Sequence, residues 1–351
     1  MENLPHARIT AAKSSYAVRR VDLQDCAFLS LADYKPQAGD LVLARVTRIG
    51  SHGRIELPSG RKAMLHVGDE IILAYGNRYA PDQYESYVPE NLEACHMVAA
   101  GGIASKAVSW HNKLSGPTEI EPVGVLCRSN GHPVNLNAYA LPTLAGPMPS
   151  VVLGVFGTSM NSGKTATAAA LLRGFALSGY RVRALKITGT AAGGDPWLMR
   201  DSGASEVLDF TDAGMATTFG VPLDTLVAST RNLLRTLSRS NCDLAVVEIA
   251  DGLFQDETRQ IAESKLIQSA FDGVVFASGD ALGAVAGAKQ LCDLGYNVLA
   301  ISGALLRSPL AARETAGNLG LPAYDLSAFH EGEKVSQIVD SVLSPRYAAT
   351  G

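Results

Sequence analysis

A basic excess is missing from this 351-residue chain, whose 30 lysines and arginines stand against 34 acids for a formal charge of −4. A protein that neutralises many backbone phosphates needs the opposite balance, so a dedicated nucleic-acid binder is not expected. Long apolar runs are missing too. Nowhere do about 18 apolar residues follow one another, which argues against a membrane span. The opening stretch MENLPHARITAAKSSYAVRR has no apolar core of the kind a secretory leader requires. Cysteines number only five, Cys26, Cys95, Cys127, Cys242 and Cys292, scattered and without a C-x-x-C pair. Such a set argues against a disulfide framework or a structural zinc site, and fits reduced thiols in a cytoplasm, buried as small hydrophobes. The seven histidines are equally dispersed, with no H-x-x-x-H pair, so a dedicated transition-metal site is not expected. Aromatic residues are sparse at 6% and charged ones reach 18%, while 47% of the chain is hydrophobic and 34 residues are glycine. That is the composition of a soluble α/β protein, long enough for two domains with separate cores.

Two rhythms divide the chain. Up to about Leu141, short β-like runs alternate with turn residues: DLVLARVTRI, RIEL, RKAMLHV and IILAYG, then EPVGVLCR and PVNLNAYAL. This spacing predicts a small, barrel-like β-rich domain over residues 1–140. A proline- and glycine-bearing stretch, ALPTLAGPMPS, marks a linker at 141–150. From 151 to 351 apolar runs alternate with helical text. VVLGVFG, RVRALKIT, CDLAVVEIA, GVVFAS and YNVLAIS read as strands, with LPAYD closing the series; TATAAALLRGFALSG, TLVASTRNLLRTLSRS, QDETRQIAESKLIQS, GAVAGAKQLCDLG and SPLAARETAGNLG read as helices. Wholly apolar strands between helices predict a doubly wound, mostly parallel sheet covered on both faces.

Between the first such strand and its helix lies GTSMNSGKT, residues 157–165. It departs from G-x-x-x-x-G-K-[ST] by one extra residue between the glycines, yet sits where that phosphate-binding loop belongs. There, backbone N–H groups curl around phosphate oxygens and the helix N-terminus adds its positive end. Gly163 lets the backbone approach the phosphates, Lys164 reaches the β- and γ-phosphates, and the Thr165 hydroxyl ligates Mg²⁺. The remaining candidate cradle residues are Gly157, Thr158, Asn161 and Ser162. AGGDPWLMRDSGA contains Asp195-Pro196, which reads as a helix start with a capping Asp and Pro in the first turn. One acidic stretch invites a Mg²⁺ reading as well. DLAVVEIADGL ends an apolar strand on Glu248, which brings a carboxylate to the sheet edge beside the phosphates.

G-T-x-x-x-x-G-K-T resembles the loop of dethiobiotin synthetase and of the related cobyrinic acid amide synthases. On that resemblance the extra residue is the family's own loop length, with Gly157-Thr158 as its opening and Gly163, Lys164 and Thr165 as its close. The chain departs at Ser159, where dethiobiotin synthetase carries an aspartate. No lysine lies within 158–162 (TSMNS), unlike the switch-type members of the wider class. The resemblance implies a catalytic lysine at the end of the second strand, matched by Lys186, a Mg²⁺-holding aspartate after a glycine-bearing loop, for which AGGDPWLMRDSGA offers Asp195 and Asp201 with Asp195 preferred, and a Mg²⁺-supporting glutamate, matched by Glu248. Asp251-Gly252 replaces the Gly-Gly pair that follows that glutamate. It also implies ATP with Mg²⁺, a small-molecule substrate, a dimer with sites at the subunit interface, and base contacts after the fifth strand, where Ser302, Arg307 and Pro309 lie.

Two functions follow from these readings. In the first, an Mg²⁺–ATP enzyme transfers a phosphoryl group to a small carboxylate, carbamate or hydroxyl, ligase- or kinase-like, with Lys164, Lys186 and Glu248 catalytic and Thr165, Asp195 and Glu248 around the metal. In the second, nucleotide hydrolysis drives a switch or assembly protein whose N-terminal barrel docks a partner; the missing loop lysine counts against it. The tyrosines of AYGNRYAPDQYESYVP and the turn-rich TDAGMATTFG (211–220) read as packing and capping first, and as recognition or substrate loops second.

Overall fold

The computed structural model describes residues 1–31, 34–239 and 241–348, and the chain forms two compact units. Unit 1 contains Met1–Pro142 together with two later segments, Thr190–Gly194 and Phe210–Gly220. Unit 2 contains Thr143–Gly189, Asp195–Asp209 and the chain from Val221 onward.

Unit 1 is β-rich and mostly antiparallel, and five of its strands close into a ring. Leu41–Arg48 pairs with Glu70–Tyr75, which runs parallel to Ile103–Trp110. Ile103–Trp110 pairs with Cys95–Ala99, that strand with Thr118–Cys127, and the last returns to Leu41–Arg48. Closure leaves these five strands without an open edge. The period-2 pattern sets which side faces in: Val42, Ala44 and Val46, and Ile71, Leu73 and Tyr75, all join one buried cluster. PVNLNAYAL, expected as a strand, forms a short 3-10 turn at Leu136–Tyr139 instead. The reason is local: the Asn135 side chain accepts from the Asn137 N–H at 3.0 Å, a capping bond that competes with extended pairing. Of the cysteines, Cys26, Cys95 and Cys127 are buried here as expected, whereas Cys292 in unit 2 is exposed and Cys242 half-buried.

Unit 2 is an α/β layer structure with a six-stranded, all-parallel sheet in the order Val207–Asp209, Val182–Lys186, Leu244–Glu248, Val151–Gly157, Gly273–Ala277, Val298–Ser302. The strand before the glycine loop is therefore central. Its core joins Leu153, Val155 and Val246 of the sheet to Leu171, Leu172 and Phe175 of the helix Lys164–Leu177. QDETRQIAESKLIQS breaks at Ser264, an extended residue, into Asp256–Glu263 and Lys265–Gln268. LPAYD supplies no strand of its own: Ala323 makes only an isolated parallel bridge to Ile301, because Pro322 has no N–H for the ladder. The short strand Val207–Asp209 and the helix Gly332–Ala348 were not anticipated by periodicity.

Two predictions follow from this packing. Gly174 lies mid-helix, where alanine is normally favoured by about 1 kcal/mol, yet a Cβ there would sit 1.8 Å from the Phe329 carbonyl oxygen. Gly174→Ala should therefore destabilise by about 1–3 kcal/mol, read as a lower urea midpoint; a raised midpoint would show that the helix has room. In unit 1 burial, assisted by the Arg78 charge, pushes the His52 imidazole down to about 4. The unfolded chain binds a proton that the fold refuses, so this contribution is full above about pH 6.5 and is lost as pH falls towards 4, amounting to about 3 kcal/mol. Unfolding measured across that range should show a shallower acid dependence for His52→Gln than for the unmodified chain.

Candidate functional site

The strand Val151–Gly157 is buried at every position, since parallel neighbours flank it and helices cover it. It ends at Gly157, and the chain turns through 158–163 before the helix starts at Lys164. That turn takes two left-handed residues, Asn161 at φ 64° and Gly163 at φ 100°. There is no space for side chains at the two glycines. A Cβ on Gly157 would lie 2.6 Å from the Ser162 hydroxyl, and one on Gly163 would lie 2.9 Å from Gly303 Cα. The loop is clamped by two other strand ends: the Thr158 N–H donates to the Ala277 carbonyl at 3.1 Å, and the Ala304 N–H donates to the Ser162 carbonyl at 2.9 Å. Lys164 folds back over the loop, with Nζ donating to the Ser159 carbonyl at 2.7 Å. Burial lowers its pKa, against the opposing pull of Glu248 and Asp251.

Two charged strand ends face each other beside this loop. Lys186 and Glu248 are register partners on adjacent strands, and Glu248 is also in register with Val155 of the loop strand. Glu248 is only 1% exposed. Its Oε1 accepts from the Thr165 hydroxyl at 3.0 Å and lies 3.7 Å from Lys186 Nζ, while Oε2 is buried without a hydrogen-bond partner among the described residues. Lys186 in turn pairs with Asp195. Burial pulls the Lys186 pKa down, but the carboxylates of Glu248 and Asp195 outweigh it and the net shift is upward, so the ammonium persists. Burial drives Glu248 upward, with Lys186 opposing. Thr165, Glu248, Lys186 and Asp195 thus form one connected chain of polar contacts. Asp201, the other candidate in its stretch, ends the helix Gly194–Asp201 that Asp195 begins and faces solvent. Asp195 sits in that helix's first turn, as the helix-start reading expects, and also pairs with Lys186.

Several contributors carried only a faint signal in the sequence. Asp251 adopts φ 64°, a conformation that Asp tolerates better than most side chains. The next residue must stay glycine, because a Cβ on Gly252 would meet the Thr158 carbonyl oxygen at 2.1 Å. Gly303 is equally constrained, at φ 102° and with its Cβ position 2.4 Å from the Ser162 carbonyl oxygen. Of the three residues suggested for base contacts, Ser302 is buried and donates to the Tyr324 carbonyl at 2.9 Å. Pro309 opens the helix Pro309–Leu319, and Arg307 lines a cavity beside Gly163 and Gly303.

A glycine-gated turn between a central parallel strand and a helix, Lys-Thr at the helix start, and an acid ending the adjacent strand define unit 2 as a phosphate-loop NTPase fold. No known family matches the chain, and no curated protein matches it. Among solved structures it is similar to the signal recognition particle receptor FtsY from Elizabethkingia anophelis, at 15% identity and TM-score 0.39 over 56% of this chain and 67% of that one. It is also similar to the signal recognition particle 54 kDa protein from Aeropyrum pernix K1 in complex with GDP, at 18% identity and TM-score 0.38 over 59% of this chain and 52% of that one. The same FtsY in complex with GDP aligns at 16% identity and TM-score 0.38, over 59% and 67% of the two chains. Likeness at this level carries over no substrate, partner or mechanism. The resemblance to dethiobiotin synthetase rests on the short motifs alone.

Lys186→Met should leave Glu248 buried without its main cation and cost about 3–5 kcal/mol at neutral pH. With the folded-state pKa of Glu248 raised further, the penalty grows as pH rises from the ordinary carboxylate range through that raised pKa and shrinks, relative to the unmodified chain, as Glu248 protonates in acid. Denaturant titrations at several pH values test this, and a pH-independent penalty would show that Lys186 stabilises by packing instead.

Proposed function

We propose that this chain is a nucleotide-driven switch: unit 2 binds and hydrolyses an Mg²⁺–nucleoside triphosphate, and unit 1 responds to the state of the nucleotide. The observation that carries the proposal is the course of the chain around Lys186. Lys186 and Asp195 pair within unit 2, yet the residues just before Asp195, Thr190–Gly194, pack into unit 1. There the Gly193 N–H donates to Glu56 at 2.9 Å and the Ala191 N–H to the Ala216 carbonyl at 3.0 Å. Ala216 belongs to the second such segment, Phe210–Gly220, which begins directly after the strand Val207–Asp209. Segments leaving the C-terminal edge of such a sheet are the ones a terminal phosphate orders or releases.

Within this reading the N–H groups of residues 158–165 cradle the phosphates, and Lys164 exchanges the Ser159 carbonyl for phosphate oxygens. Thr165, Glu248 and Asp195 suit a hard cation: they are all oxygen donors, and Glu248 Oε2 is a buried acceptor with no protein donor. Bound Mg²⁺ supplies charge neutralisation at the β- and γ-phosphates. Lys186 keeps its proton and adds fixed positive charge at the sheet edge. The same charged lysine supports a second reading, phosphoryl transfer from ATP to a small carboxylate, carbamate or hydroxyl by a dimeric enzyme, as the loop resemblance implies.

Hydrogen exchange of the full chain with diphosphate and with a non-hydrolysable triphosphate separates the two. The switch reading expects residues 190–194 and 210–220 to change protection between the two states. Unchanged exchange there, with hydrolysis stimulated only by a small acid or alcohol, would sink it in favour of the enzyme. Under either reading Lys164→Ala should reduce nucleotide-dependent hydrolysis by about 100-fold or more.

A further inference from the structure

Next to the phosphate loop lies a cavity of about 130 Å³ whose lining includes Asn161, Gly163, Gly303, Arg307, Asp325 and Leu326. Gly163 precedes the helix that carries Lys164 and Thr165, so the cavity shares a residue with the phosphate loop. Its size suits one heterocyclic base. Both of its lining glycines lie in tight backbone packing, which leaves the lining side chains to recognise a ligand.

Asp325 is the chemically selective group of that lining. Its Oδ1 accepts from the Ser327 hydroxyl at 2.7 Å and from the Ala328 N–H at 2.9 Å. These bonds orient the carboxylate and hold its pKa below the ordinary range, so it is ionised at neutral pH. An ionised carboxylate offers about four acceptor sites and no donor, and the two turn bonds leave acceptor capacity in hand. Guanine presents two adjacent donors on its pairing edge, the ring N1–H and the 2-amino group. Adenine presents a lone pair at N1 and carries no 2-amino group. A fixed acceptor therefore attracts guanine and repels the corresponding edge of adenine. Arg307 and Leu326 add a planar guanidinium and an exposed apolar side chain, both able to cover a base plane.

We infer that this cavity is the base pocket of the nucleotide site and that Asp325 selects guanine, so that unit 2 takes GTP in preference to ATP. The inference rests on the proposal that the loop binds a nucleoside triphosphate, and it departs from the ATP that the loop resemblance implies.

Calorimetric titration of the full chain in Mg²⁺ with GDP, ADP, IDP and XDP tests it. GDP should bind about 100-fold or more tightly than ADP, with IDP, which lacks the 2-amino group, in between. Asp325→Asn keeps an oxygen for Ser327 and Ala328 while adding a donor. It should weaken GDP and strengthen XDP, whose 2-position is a carbonyl, with an unchanged melting temperature. ADP binding as tightly as GDP overturns the inference, as does a GDP preference that survives Asp325→Asn. Lys164→Ala separates this failure from that of the underlying proposal. If the variant loses GDP and ADP alike while the unmodified chain binds both equally, only the base assignment falls. If Lys164→Ala leaves GDP binding intact, the phosphate-loop reading falls and the guanine assignment with it.

Discussion

A carboxylate at the end of a fully buried strand must be answered by a cation or give up its charge, and at Glu248 the answer is Lys186 from the neighbouring strand. Much of the site's arrangement depends on that pairing. Glu248 also accepts from Thr165 and so ties the first turn of the loop's helix to the sheet edge. Lys186 reaches Asp195 and so fixes where the helix Gly194–Asp201 begins. A buried pair of this kind adds little net stability, because desolvation offsets most of its attraction. What the pair leaves in place is a fixed positive charge beside a carboxylate oxygen at the C-terminal edge of the sheet, the edge where such folds bind their ligands.

A second constraint is steric. Gly157, Gly163, Gly252 and Gly303 come from three separate stretches of chain, and at each of them a Cβ would fall closer than 3.0 Å to another atom. The phosphate loop is therefore held by backbone packed on backbone, clamped by carbonyls and N–H groups from the ends of other strands. Such packing leaves the loop little freedom, so its N–H groups are arranged before any ligand binds, which is how electrostatic recognition avoids a reorganisation cost. Two non-glycine residues around this loop have left-handed backbones, Asn161 and Asp251, and both are of types that tolerate that conformation.

The two units also share the chain in an unusual order. After the strand that ends in Lys186, and again after the strand that ends in Asp209, the chain leaves unit 2, adds a short segment to unit 1 and returns. Each departure falls at the C-terminal edge of the parallel sheet, the edge where such folds bind their ligands.

Much of this was legible in the residues themselves. Apolar runs such as VVLGVFG and LAVVE announced buried parallel strands, because only a strand covered on both faces tolerates such a run. The Gly-Lys-Thr at a helix start announced the phosphate loop, since that chemistry is local to one turn. Local signals misled where a neighbour outcompeted them: Asn135 capped a turn inside an alternating run, and Pro322 denied LPAYD its ladder. Tertiary structure alone decided the long-range matters. It brought Asp195 rather than Asp201 to Lys186, set Gly303 against the phosphate loop, placed Asp325 in the lining of the cavity, and assigned residues 190–194 and 210–220 to unit 1. Periodicity and motif report on contacts within a turn or a strand. Pairings between distant segments are chosen by packing and charge balance across the whole fold, and no local pattern encodes those.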